Sequence, residues 1–590
     1  MVDIIPKDTN FRYCKSAKHF KPILLYLDLP IPKFSINSLT MRKIFVVLLM
    51  VFALSCSNAS EVTVLHNING YSMSNQGLIK FDAIAMQDGK ILSVGNHSEI
   101  ISSYGDATSI DGEGRTVLPG LIDAHAHVMG LGSSILNVNV MGIQTLDETL
   151  QLVSDYAAQY PDLAWIQGRG WNQVIWPGNS FPTASDLDRA VSDRPVFLSR
   201  VDGHAGWANS EAMRIAGITR DTPDPDGGAI IKDENGEPTG VLIDLAQNLV
   251  EKHIPSPTKE EMRLALEASL NEMKSMGLTG VHDAGVGVTD FELMKEMADQ
   301  GKMTTRIYGM ISGAGETFDE LSKNGPVIGY AEDRLFLRSV KLYSDGALGS
   351  RGAALIEDYS DDPGNRGLLF ATEEEFTAMI DKVVQAGYQA GIHAIGDRGN
   401  RVILNAFENV QQTRGDQGLR HRIEHSQIVN LDDIPRFNEL NIIASMQPTH
   451  ATSDMNMAED RLGPVRILGG YAWRTFLDQG TVIAAGSDFP VELSNPFHGL
   501  YSAVTRQNHE GMPVDGWYPE QRITREEALH GFTLGAAYSG HMEDIVGSIE
   551  PGKWADFIVI DRDYFIVPDI EIWQIQVLES WVAGKKVYSK

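Results

Sequence analysis

From residue 277 onward, seven apolar extended segments succeed one another, at 277–283, 305–311, 336–343, 389–394, 422–425, 442–447 and 481–488. Clear helical periods lie between several of them. Thr372 and Glu375 form a capping box ahead of Phe376, Met379, Ile380, Val383 and Val384, whose spacing places them on one helix face. Val402, Ile403, Ala406, Phe407 and Val410 repeat that spacing. The apolar run of Val117, Leu118, Leu121 and Ile122 adds a strand upstream and brings the number to eight. Eight strands alternating with helices predict an α/β protein, a (β/α)8 TIM barrel over 117–544, with its chemistry at the C-terminal ends of the strands.

Those ends carry a recurring kind of residue. His125 and His127 close the first strand, and side chains two apart on an extended segment share a side, so the two imidazoles converge. Lys341 lies on the fourth strand, His393 near the end of the fifth, His425 at the end of the sixth and Asp488 at the end of the eighth. Each alone has an ordinary account, as a hydrogen-bonded core histidine or a turn-capping aspartate. Together they form the nitrogen and oxygen set that transition metals select. The two cysteines, Cys14 and Cys56, both precede the region that looks folded, so no cysteine-based zinc site or disulfide framework is available. An ammonium group beside a metal cluster would be repelled and is costly to bury among apolar neighbours. Deprotonated, Lys341 can react with carbon dioxide to give a carbamate that bridges two cations; cationic, it would bind a substrate carboxylate instead. Both readings stay open.

Two further regions flank this core. Short strands and turns over 61–116, with Asp88-Gly89 as a hairpin turn, match strand-like stretches at 547–560 and 580–587. They predict a composite β-sandwich split between 61–116 and 545–590. The stretch of about 146–253 does not advance the barrel and reads as an insertion that roofs the site. It holds Gly168-Arg169-Gly170-Trp171 and a hairpin around Asp233–Gly236. Trp171, Trp176, Trp207 and His204 either line a pocket there or, for the tryptophans, pack the insertion.

The formal charge of −29 argues against a nucleic-acid or anionic-membrane surface, both of which require basic patches. Residues 1–60 read as a disordered extension plus a signal-like segment over 41–56. Met41-Arg42-Lys43, an apolar run from Ile44 to Leu54, and Ser55-Cys56 resemble a bacterial lipoprotein export signal, with Cys56 as the lipid-bearing residue. Ala53 stands where leucine is usual, and the segment lies far from Met1; translation starting at Met41 accounts for the second departure. The expected location is then the bacterial periplasm or cell envelope, with the membrane met only through Cys56. A short buried helix, in a cytoplasmic protein, is the alternative.

The longer motifs narrow the fold further. Val117-Leu-Pro-Gly-Leu-Ile-Asp-Ala-His-Ala-His127, Ser344-Asp-Gly-Ala-Leu-Gly-Ser-Arg-Gly-Ala-Ala354, His393-Ala-Ile-Gly-Asp-Arg398, Arg422-Ile-Glu-His-Ser-Gln427, Gln447-Pro-Thr-His450 and Gly486-Ser-Asp-Phe-Pro-Val-Glu492 are similar to those of the amidohydrolase superfamily, in its YtcJ-like, N-substituted formamide deformylase-like branch. The resemblance implies that His125 and His127 bind one divalent metal, most simply zinc. Carbamylated Lys341 would bridge to a second bound by His393 and His425, and Asp488 would touch metal and nucleophile. Asp488 is then the acid–base residue, relaying a proton from the attacking water to the departing amine. His204 and His450 are placed to hydrogen-bond the oxyanion or the substrate. Arg351 would meet a substrate carboxylate or form a loop-ordering salt bridge. The leading expectation is a hydrolase of a small-molecule amide such as an N-substituted formamide or N-acyl amine. An ester, carbamate or cyclic amide is the second. A membrane-tethered binding protein without turnover is the third, and it predicts a lost ligand where none is lost. A homodimer is compatible with the sequence.

Overall fold

The computed structural model describes residues 61–74 and 77–590, so the signal-like segment, Met41, Cys14 and Cys56 lie outside the described residues. The barrel is built from β1 (Leu121–Ala126), β2 (Leu278–Val286), β3 (Arg306–Ser312), β4 (Leu335–Tyr343), β5 (Gln389–Ala394), β6 (Arg422–His425), β7 (Ile443–Met446) and β8 (Ile483–Ala485). Each strand pairs in parallel with the next. Covered by helices outside and side chains inside, β1, β5, β6, β7 and β8 are buried at every position, which is why they read as apolar runs rather than alternations. The eight strands expected from the sequence are these eight.

No ladder joins β8 to β1 among the described residues. The seam is closed instead by Asp488 N donating to His125 O at 2.8 Å and His127 N donating to Phe489 O at 2.8 Å. The Asp123 carboxylate, fully buried, accepts from Ser487 N at 3.1 Å and from Ser487 Oγ at 2.6 Å. Gly486 makes the approach feasible, since a Cβ there would stand 2.5 Å from Asp123 Oδ1 and 2.6 Å from His125 N. The strand ends that carry His125 and Asp488 are thereby tied edge to edge.

The outer helices follow the sequence pattern. Glu373–Gln385 starts with the Thr372/Glu375 capping box and buries Phe376, Ile380, Val383 and Val384. Asp397–Arg414 buries Ile403, Ala406, Phe407 and Val410 on the same inward face. A fully buried side chain of this kind contributes about 1.5–3 kcal/mol, and these rows hold each helix against the strands it connects.

Strands from both chain ends share one sheet. Its order runs Lys585–Ser589, Val577–Val582, Phe557–Ile560, Thr116–Pro119, Thr63–Ser74, Gly77–Gln87 and Lys90–Gly95, with Thr108–Asp111 also against Thr63–Ser74. Leu65, Ile84, Val117, Phe557, Val559 and Trp581 form the core on one of its faces. A separate six-stranded sheet occupies the loop between β1 and β2, in the order Gly228–Lys232, Pro238–Asp244, Ala205–Ala208, Val196–Arg200, Ile166–Trp171 and Val138–Asn139. It begins at Val138, ahead of the 146 boundary read from the sequence, because a two-residue strand leaves no apolar pattern.

Candidate metal centre

At the C-terminal mouth of the barrel, ligand atoms of His125, His425 and Asp488 all lie within 4.8 Å of one another, and all three residues are buried. Asp488 Oδ1 stands 3.2 Å from His127 Nε2 and 3.6 Å from His125 Nε2. The His393 ring lies 4.6 Å from that of His425, which in turn lies 4.8 Å from that of His125. Lys341 Nζ is 2.9 Å from His125 Nε2. The six residues expected at the strand ends therefore meet around one point. His425 and Asp488 get there with left-handed backbones, φ 72° and 61°. Such conformations cost non-glycine residues about 1 kcal/mol or more and cluster where a side chain must be aimed.

The ring orientations are set by neighbours one layer back. His125 Nδ1 donates to Glu424 Oε2 at 2.6 Å, and His425 Nδ1 donates to Gln447 Oε1 at 2.8 Å. In each ring this places the proton on Nδ1 and leaves the Nε2 lone pair facing the centre, the arrangement that orients histidine ligands in metal sites. Glu424 is in turn held by Arg422, whose Nη2 donates to it at 2.9 Å and to Ala124 O at 2.6 Å. The carboxylate fits inside the barrel because position 391 is glycine: a Cβ there would come within 2.7 Å of Glu424 Oε1.

Burial governs the protonation of the centre. It pushes His125 down to about 4, with the nearby Lys341 charge acting in the same direction, and it pushes His393 and His425 well below the usual imidazole range. All three rings are neutral donors near neutral pH. Asp488 is held well below the carboxylate range: burial would raise it, but the hydrogen bond from His127 and the surrounding imidazoles outweigh that. The Lys341 amine is drawn down to about 8 by burial, against the opposing pull of Glu424 and Asp488. A divalent cation fits this donor set of neutral nitrogens and one carboxylate. His450 Nε2, 3.9 Å from Asp488 Oδ2, is buried without a hydrogen-bond partner and points to a group still to be bound.

The centre opens into a cavity of about 790 Å³ shared by the barrel mouth and the insertion. His204 and His450 both line it. His204 Nδ1 donates to Asp244 Oδ1 at 2.7 Å. Burial would lower this imidazole, but Asp244 and Asp202 raise it above the ordinary histidine value. Trp171 does not line the cavity. It is fully buried in the insertion core against Trp176 and Trp207, its Nε1 donating to Leu198 O at 2.8 Å. Neither of those tryptophans lines the cavity. Arg351 is also outside it, its guanidinium forked onto Asp361 at 2.9 and 3.3 Å in a loop-ordering pair. Residues the sequence reading left without a role are Glu424, Gln447, Asp123 and the cavity-lining Arg169. Glu424 carried a signal: it stands two residues after Arg422 on a short strand, so the two side chains share a side, and an acid buried there takes that arginine as its partner.

The model of the amidohydrolase family matches residues 108–588. The chain belongs to the amidohydrolase family. This amidohydrolase is 34% identical to Protein LONG AFTER FAR-RED 3 of Arabidopsis thaliana, over 88% of this chain and 91% of that protein. It is 33% identical to the putative amidohydrolase YtcJ of Bacillus subtilis (88% and 98%) and 29% identical to the N-substituted formamide deformylase of Arthrobacter pascens (86% and 95%). Among solved structures it is similar to an uncharacterized metal-dependent hydrolase from Pyrococcus furiosus, with 28% identity and a TM-score of 0.68 over 85% of this chain and all of that one. The amidohydrolase is thus an enzyme of the YtcJ-like branch, a metal-dependent hydrolase on a (β/α)8 barrel.

Proposed function

We propose that this amidohydrolase cleaves the C–N bond of a small amide, an N-substituted formamide or N-acyl amine, with zinc in the centre and Lys341 as its carbamate. The observation that carries the reading is the convergence of His125, His425 and Asp488 within 4.8 Å beside Lys341. The likeness to a relative named a formamide deformylase supports the choice of bond.

His125, His127, His393, His425, Asp488 and a carbamylated Lys341 would hold the cations. When bound, they supply Lewis acidity and hydroxide near neutral pH. The chain's own residues do the rest. Asp488, ionised and beside His127, takes the proton of the attacking water and returns it to the departing amine nitrogen. His450 and the His204–Asp244 pair present N–H groups from the cavity wall to the carbonyl oxygen as charge builds there. An amine lowered to about 8 is unprotonated in a useful fraction near neutrality, as carbamate formation requires. Export through the segment ending at Cys56 is part of the same proposal, checked by mass spectrometry for a lipidated Cys56.

The test is metal analysis of the purified full chain, coupled to hydrolysis of a panel of formamides, N-acyl amines, esters and carbamates, with and without added bicarbonate. Zinc bound per chain, amide turnover and stimulation by bicarbonate are expected. Turnover of the ester or carbamate alone overturns the choice of bond, and full activity after complete metal removal overturns the chemistry.

A further inference from the structure

The insertion strand Ile166–Trp171 carries a side chain that the hydrolysis above leaves unused. Arg169 lines the same cavity as His127, Lys341 and Asp488. Its Nη2 donates to Val201 O at 2.7 Å, while its Nε is buried with no hydrogen-bond partner. Among the described residues no carboxylate lies within ion-pair distance of it, whereas the cavity's other arginine is fully engaged. Arg200 meets Asp202 at 2.5 Å, Gln173 Oε1 at 2.9 Å and Asn172 Oδ1 at 3.1 Å. The wall's carboxylates are likewise taken. Asp283 accepts from Val128 N at 2.9 Å, Asp290 from Gly287 N at 2.9 Å, Asp454 from Tyr471 Oη at 2.7 Å and Glu492 from Ser453 Oγ at 2.5 Å.

The local backbone is shaped to hold Arg169 at the cavity wall. A Cβ on Gly168 would stand 2.4 Å from Val138 O and one on Gly170 2.5 Å from Met141 N, and Gly170 adopts φ +104°, which side-chain-bearing residues avoid. The register against Val196–Arg200 slips between Arg169 and Trp171. A slip of this kind re-aims the side chain beside it. Desolvation draws the guanidinium down to about 10, with Asp488 and Asp202 opposing. Removing an unpaired guanidinium from water is expensive unless an anion meets it, and a carboxylate meets it best, by two parallel hydrogen bonds.

We infer that Arg169 is a specificity residue that binds a carboxylate carried by the substrate, so that the preferred amide bears a free carboxylate. This rests on the amide-hydrolysis reading. The matched probes are N-formylphenylalanine and N-formylphenethylamine, which differ only in that carboxylate, assayed with metal-loaded wild type, Arg169→Met and Arg169→Lys. Wild type should favour the carboxylated amide roughly a hundredfold in kcat/KM, the discrimination a charge-assisted pair supplies. Arg169→Met should abolish that preference through KM while leaving the neutral amide within about threefold, and Arg169→Lys should restore part of it. Equal loss on both substrates would mean that Arg169 only braces Val201, and no preference in wild type would mean that no anion is read; either overturns the proposal. Calorimetric binding of 3-phenylpropionate separates it from the hydrolysis reading. Binding lost in Arg169→Met supports the subsite even if neither amide turns over, and binding unchanged in that variant overturns it even if both do.

Discussion

The barrel and the insertion deliver polar side chains into one cavity by opposite means. In the barrel each comes from, or just beyond, a strand held in parallel register against at least one neighbour, and the burial that makes the strand apolar also keeps its histidines neutral. In the insertion the cavity residues come from departures from regularity. Arg169 sits at a register slip, His204 just ahead of a short strand, and its partner Asp244 at φ 45°, ψ −123°, a conformation nearly reserved for glycine. The contrast teaches that reactive groups whose mutual distances matter are placed on a lattice of strands. Groups that choose among substrates are placed where the backbone can change without unfolding the lattice.

If that division holds, barrel and insertion variants should fail differently. The largest effect is expected from His125→Ala and Lys341→Ala, which should lose bound metal and at least about a thousandfold in kcat, since Lewis-acid stabilisation is worth several kcal/mol. Metal analysis with steady-state kinetics checks this; full activity in either would break the comparison at its root. Trp171→Ala should remove about 3–5 kcal/mol from the insertion core, seen as an early unfolding step in calorimetry, with the metal still bound.

Acid should act on the barrel's foot. His421 accepts from Ala390 N at 3.0 Å and stacks on Phe407, and burial lowers it to about 4. A lowered imidazole takes its proton first in the unfolded chain. Its contribution is therefore complete above the unfolded value of 6.5 and is lost as pH falls through 4. The loss amounts to about 3 kcal/mol, read as a Tm that falls with acid in wild type and falls less in His421→Phe.

Glu424→Gln should weaken metal affinity about 10- to 100-fold by releasing the His125 tautomer, measured by competition with a chelator. The smallest effect is expected from Asp244→Gly. Freed of its strained backbone but lacking the partner that orients His204, it should lose about tenfold in kcat, the low end for removing such an orienting group, with no fall in Tm. A fall in Tm with unchanged kcat would assign Asp244 to the scaffold instead.

The barrel and the six converging residues were legible because strand period, capping boxes and polar strand termini are local signals. His125 and His127 show their shared side in three residues of sequence. Glu424 and Gln447 were not read as orienting groups, since what each hydrogen-bonds depends on which strand lies beside it. Trp171 and Arg351, residue types that suit a substrate pocket, sit instead in the insertion core and on Asp361. An aromatic in a glycine-flanked strand and an arginine in a loop look the same from sequence whether they face a cavity or a neighbour. Arg169, two places before Trp171, is the side chain of that pair that reaches the cavity.

The sheet that joins the chain's two ends has a consequence for biosynthesis. Thr116–Pro119 lies between Thr63–Ser74 and Phe557–Ile560, and the second of these neighbours is translated only after the whole barrel has emerged. Until then an apolar edge stands open on the nascent polypeptide, where it can recruit a foreign strand. A premature stop or proteolytic nick that removes only the last strands would therefore disable the molecule without touching any of the six side chains at the barrel mouth.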